Sequence, residues 1–97
     1  MNLKKPAIAG TLESSDVQIT LYPNEGNGIE ISLNSVVKAI FGQAILETAR
    51  AVLREFGVTD AYVQIDDKGA LDHVIRSRMQ AAICRSAECS YDWARED

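Results

Sequence analysis

Two stretches of strict alternation dominate the first third of the chain. Val17, Ile19 and Leu21 are separated by Gln18 and Thr20, and Ile29, Ile31 and Leu33 by Glu30 and Ser32. A period of two sends successive side chains to opposite faces of a strand, so both runs predict half-buried strands. Between them PNEGNG, residues 23–28, concentrates the residue types that accept turn geometry. The pair is therefore expected to form a β-hairpin with a loop longer than the tightest type. Upstream, AIAGTLE at residues 7–13 is a short apolar run interrupted by Gly10, and it predicts a further strand.

Beyond residue 33 the period lengthens. Val37, Ile40, Phe41, Ala44, Ile45, Ala49, Val52, Leu53 and Phe56 recur at spacings of three and four, which is an amphipathic helix. Asn34 or Ser35 is placed to cap it and Gly57 to end it, while Phe41 is expected in the core and Gly42 at a close helix contact. Alternation returns at Ala61, Val63 and Ile65 in a further strand. DDKG, residues 66–69, then opens a second helix whose apolar face is Leu71, Val74, Ile75, Met79, Ala82 and Ile83, with Asp66 or Asp67 as its cap. Arg76, Gln80 and Arg85 belong mainly to the opposite side.

Strands precede helices for the most part, so the fold class expected is α+β: a small, mostly antiparallel sheet packed against two amphipathic helices. Only the strand between the helices is able to introduce a parallel neighbour. Residues 86–97 follow neither period and are polar apart from Tyr91 and Trp93. They are expected to be a mobile tail, leaving residues 1–85 as a single domain.

Composition narrows the function. At 97 residues, 46% hydrophobic and 25% charged, the chain suits one ordinary globular domain without room for an elaborate buried active site. A formal net charge of −4 argues against a phosphate-backbone binder, so no nucleic-acid partner is expected, and partners with basic docking surfaces become more plausible. No run approaches a membrane span or a signal-peptide core, which points to no membrane partner and a cytoplasmic address. Cys84, Cys89 and the single His73 supply neither a disulfide framework nor a zinc site. Asp66 and Asp67 alone are a weak Mg²⁺ signal, and no metal is expected.

One stretch remains, AGTLESSDVQ at residues 9–18. A nucleophilic serine needs a base within reach and an oxyanion hole, yet GxSxG is absent and the lone His73 falls within the second helix pattern, so no catalytic residue is assigned. Physically, Ser14, Ser15 and Asp16 make a good turn, because their short side chains bond nearby backbone groups. But AGTLESSDV, the FG of AIFGQAI, and IDDKGALDHVIRSRMQAA at residues 65–82 occur together, in that order. Over roughly residues 6–85 this combination resembles the acyl carrier protein of citrate lyase, its gamma subunit.

The resemblance implies that the serine directly after the Leu-Glu pair, Ser14, carries a phosphoribosyl-dephospho-CoA group through a phosphodiester, with the adjacent Ser15 the weaker candidate. It further implies a non-catalytic carrier that works with the alpha (transferase) and beta (lyase) subunits of citrate lyase and with a cofactor-attachment enzyme. In that scheme the carried thiol holds acetyl and citryl groups while citrate is cleaved to acetate and oxaloacetate. The chain lacks the Asp-Ser-Leu triplet of the fatty-acid and polyketide carriers, and its alternating runs oppose their four-helix bundle. Glu13 and Asp16 are expected to serve docking to a basic surface, and Arg76, Arg78 and Arg85 are candidates either for cofactor phosphates or for a solvated helix face. The alternatives are the acyl carrier subunit of malonate decarboxylase, or a small interaction module in which the serines are only a turn.

Overall fold

Burial alternates along the strands of the computed structural model, which describes residues 1–89. Six elements follow one another: β1 (Ala7–Gly10), β2 (Val17–Tyr22), β3 (Ile29–Ser35), α1 (Lys38–Glu55), β4 (Ala61–Asp67) and α2 (Asp72–Ala87). The strands form one sheet in the order β1-β2-β4-β3. β2 runs antiparallel to both β1 and β4, and β3 runs parallel to β4. The architecture is thus α+β, with a mixed sheet and two helices rather than a four-helix bundle.

The strand between the helices does supply the parallel neighbour, since β3, α1 and β4 form a crossover unit. The expected hairpin is not formed. β4 lies between the two strands that the turn-rich 23–28 segment was expected to pair. Alternation specifies which face a strand buries, not which strand lies beside it. Ala61, Val63 and Ile65 of β4 are fully buried and belong at the sheet centre, with a partner on each side. The 23–28 segment instead carries the chain past the start of β4: the Gly28 amide donates to Asp60 Oδ1 at 2.9 Å and the Ala61 amide to the Gly28 carbonyl at 2.9 Å.

Val17, Ile19, Leu21, Val63 and Ile65 form the sheet side of the core. Ile45, Ala49, Val52 and Leu53 of α1 and Ile75, Met79, Ala82 and Ile83 of α2 close over it. Removing such side chains from water, at about 25 cal/mol per Å², is what holds two helices to so small a sheet. The opposite face carries Tyr22 and Tyr62, cross-strand partners with ring centroids 5.8 Å apart.

Four residues of the expected apolar helix faces are exposed: Ile40 is 77% accessible, Phe41 52% and Leu71 66%, and Ala44 is exposed as well. α1 carries two overlapping apolar stripes, and the sheet takes the one through Gly42, Ile45, Ala49, Val52 and Leu53, leaving Ile40 and Phe41 outside. Gly42 belongs to the inner stripe because it faces the Leu33 side chain, 3.7 Å from where its Cβ would stand. Leu71 is the N-cap of α2 and so precedes the packed turns.

The expected helix caps also differ. Val37 and Leu71 hold the N-cap positions, neither with a side-chain cap. Ser35 Oγ instead accepts the Val37 amide at 3.1 Å in the turn before α1. Asp67, 1% exposed, accepts the Ser35 hydroxyl at 2.7 Å and the Ala70 amide at 2.9 Å, so it joins the end of β3 to the approach to α2 instead of capping the helix. Gly57, at φ +67, ends α1 as its position in the sequence suggests. α2 continues through Ala87, and its buried Ser86 holds the amino-terminal segment by accepting the Lys4 amide at its carbonyl and donating its hydroxyl to the Lys5 carbonyl. Residues 90–97 of the expected tail lie outside the described residues.

Candidate functional site

The serine pair sits in the connection from β1 to β2, and the sharpness of that connection begins at Gly10. Its φ is +90, and a Cβ there would lie 1.8 Å from the Val17 carbonyl oxygen. Only glycine permits both the left-handed backbone and the close approach of the two chain segments.

Past Gly10, residues 11–16 are closed by local bonds. The Thr11 hydroxyl donates to Asp16 Oδ2 at 2.6 Å, and the Glu13 amide donates to Thr11 Oγ1 at 3.2 Å. The Asp16 amide donates to the Glu13 carbonyl at 3.1 Å, so Ser14 and Ser15 are the central residues of a β-turn. Ser15 has φ +66, the left-handed region that a type II turn requires at its third position. A residue with a Cβ costs about 1–2 kcal/mol there, so the surroundings must hold the turn in place.

They do so from two directions. The Ser15 amide donates to the Lys68 carbonyl and the Lys68 amide to the Asp16 carbonyl, each at 2.9 Å, extending the β2–β4 ladder into the turn. From α2, Arg78 forks the Asp16 carboxylate, Nε to Oδ1 at 3.1 Å and Nη2 to Oδ2 at 3.0 Å. The Val17 amide adds a bond to Oδ1 at 2.7 Å. The Arg78 hydrogen bonds, then those from Thr11 and Val17, outweigh partial burial and lower the Asp16 pKa to about 2.

Ser14 stands at the apex of this clasped turn. It is exposed, and among the described residues its hydroxyl makes no hydrogen bond. The turn therefore presents an exposed hydroxyl on a fixed base. Among the described residues no base bonds to that hydroxyl: Asp16 is committed to Arg78, Thr11 and Val17, and His73 is exposed on α2.

Asp16 is consequently not a docking acid. Its side chain is 15% accessible and its oxygens face inward, so of the acids flanking the serines only Glu13 is exposed. Nor do the three arginines act as a group, since Arg76 pairs with Glu55, Arg78 with Asp16, and Arg85 donates to the Ile8 carbonyl. Gly10, Thr11 and Lys68 were not identified as site residues from sequence. The one local signal was a glycine interrupting a strand pattern, which marks a close backbone approach.

A groove of about 290 Å³ opens beside the turn, between the start of α1 and residues 69–72. Val37, Phe41, Ala44, Ile45, Ala70 and Leu71 line it, and Gly69 on its wall directly follows Lys68.

Residues 4–86 match the ACP family model, described as malonate decarboxylase delta subunit (MdcD). A citrate lyase acyl carrier protein of Clostridium perfringens is 48% identical over 94 residues, covering 96% of this chain and 93% of that protein. One from Escherichia fergusonii is 52% identical over 88 residues, covering 91% of each. Among solved structures, a crystal structure of a Pseudomonas malonate decarboxylase hetero-tetramer in complex with malonate contains a chain with the same fold. The TM-score is 0.54 at 23% identity, covering 88% of this chain and 91% of that one. With near-full-length identity of about half to curated acyl carriers, the chain belongs to the citrate lyase acyl carrier protein family.

Proposed function

We propose that this chain is the non-catalytic carrier subunit of a cytoplasmic citrate lyase and that Ser14 is its covalent attachment point. The observation that carries the reading is the exposed, unbonded Ser14 hydroxyl at the apex of a turn held by β4 and α2. A phosphoribosyl-dephospho-CoA group fits such a residue, because a phosphodiester needs an oxygen with free space around it and a backbone that does not yield when the arm is pulled. When attached, that group supplies a thiol able to hold acetyl and citryl groups. Gly10, Thr11, Asp16 and Arg78 fix the base of the turn, and Glu13 leaves one acidic side chain beside the acceptor for a basic partner surface.

Ser15 is also exposed, but its amide is tied to Lys68 and its backbone is left-handed, so Ser14 is the freer of the two. The partners in this reading are the alpha transferase and beta lyase subunits and the attachment enzyme. A second reading, the carrier of malonate decarboxylase, draws on the description of the matching family and on the shared fold. Identities of 48% and 52% to citrate lyase carriers, against 23% to the decarboxylase chain, favour the first.

The test expresses the wild-type, Ser14→Ala and Ser15→Ala chains with the attachment system and weighs each intact. The cofactor increment should appear on wild type and Ser15→Ala and be absent from Ser14→Ala. An unmodified wild-type chain would leave the interaction-module reading in front. Reconstitution with each set of catalytic subunits then separates citrate cleavage from malonate decarboxylation.

A further inference from the structure

The apolar groove beside the serine turn has no role in presenting a hydroxyl, yet two of the large apolar side chains most exposed among the described residues, Leu71 and Phe41, line it. Leu71 is 66% accessible and Phe41 52%, and Val36 and Ile40, each next in sequence to a lining residue, are 66% and 77% accessible. Isolated apolar side chains on a surface need no explanation, but a cluster around a concavity marks a binding surface.

Chain connectivity ties this concavity to the acceptor turn. Lys68 bonds to Ser15 and Asp16 through both its amide and its carbonyl, and the next three residues, Gly69, Ala70 and Leu71, form one wall of the groove. Asp67 fixes that wall to the end of β3 through the Ser35 hydroxyl and the Ala70 amide. Whatever is joined to Ser14 is therefore delivered next to the groove. A tethered group meets a neighbouring site at an effective concentration on the order of millimolar, so a contact too weak to matter for a free ligand becomes populated.

Resting on the carrier reading, we infer that the groove seats the purine of the nucleotide arm attached at Ser14, with the base against the Phe41 ring and the Leu71 side chain. The arm's chemistry separates two tasks. The base is planar and aromatic and suits an apolar slot of about 290 Å³ with an exposed ring. The thiol end must stay free to reach partner active sites. Seating the base shortens the swinging part of the arm and fixes the direction in which it leaves the carrier.

The experiment is solution NMR of the chain before and after modification, with intact mass recorded on the same samples. Seating predicts nuclear Overhauser contacts from the purine H2 and H8 protons to the Phe41 ring and Leu71 methyls, and shifts on modification concentrated at residues 36–45 and 69–72. Phe41→Ala should lower the seated-to-free ratio roughly fivefold or more, the loss expected when a stacking ring is removed. It should leave the mass increment and the far-ultraviolet circular dichroism unchanged, because Phe41 lies outside the core cluster. A fully modified chain with a freely tumbling purine would overturn the inference and leave the carrier reading intact. Absence of any increment on Ser14 would overturn both. Concentration-dependent shifts of the same residues in the unmodified chain would assign the groove to a second copy and overturn the purine seat.

Discussion

Lowering the pH should weaken the fork between Arg78 and Asp16, and the size of the effect follows from the geometry. Asp16 falls from an ordinary 3.8 to about 2, chiefly through its Arg78 hydrogen bonds. At about 1.4 kcal/mol per unit, that difference corresponds to at most ~2.5 kcal/mol of folding stability. Arg78 is 40% accessible, and solvent screening brings the expectation to roughly 1–2 kcal/mol. Because the folded pKa is the depressed one, this stability is fully present above about pH 4 and is lost as pH falls towards about 2. The assay is urea unfolding of wild type and Asp16→Asn at steps from about pH 5 to about pH 2. Other carboxylates titrate in both chains and cancel, so the wild-type advantage should shrink by roughly 1–2 kcal/mol over that window. An advantage that stays constant with pH would refute the reasoning.

Gly10→Ala should destabilise by roughly 2 kcal/mol or more, read as a lower thermal midpoint, because it combines a φ of +90 with a contact at 1.8 Å. Ser15→Gly should raise the midpoint slightly and retain modification, since glycine relieves the left-handed backbone. Asp67→Ala should lose about 2 kcal/mol or more in urea unfolding, leaving the Ser35 hydroxyl and the Ala70 amide without their acceptor. Burial, aided by the Cys89 contact, pushes the Cys84 thiol up to about 12, so iodoacetamide near neutral pH should label it only after unfolding.

The inner faces of the strands and both helices were legible in the sequence, because periodicity records burial directly, while β4 was marked only as the strand able to take a parallel neighbour. Strand order was not. β2 and β3 alternate as hairpin strands do, and it is the complete burial of Ala61, Val63 and Ile65, the inner face of β4, that goes with its place between them. Ile40 and Phe41 were misplaced for a related reason: an apolar stripe beside the packed stripe has the same spacing whether or not it meets the core. At the site, LESSD marks the turn and, through the family resemblance, the proposed acceptor. What holds it comes from Lys68 and Arg78, more than fifty residues away, and pairings at that separation leave no local pattern.

The account depends most on the hydroxyl of Ser14. The direct measurement is fragment mapping by mass spectrometry of the wild-type chain isolated from cells with an active attachment system. A phosphoribosyl-dephospho-CoA increment confined to Ser14, with Ser15 unmodified, is the predicted result. An increment on Ser15, or a bare GTLESSD peptide from such cells, would contradict it.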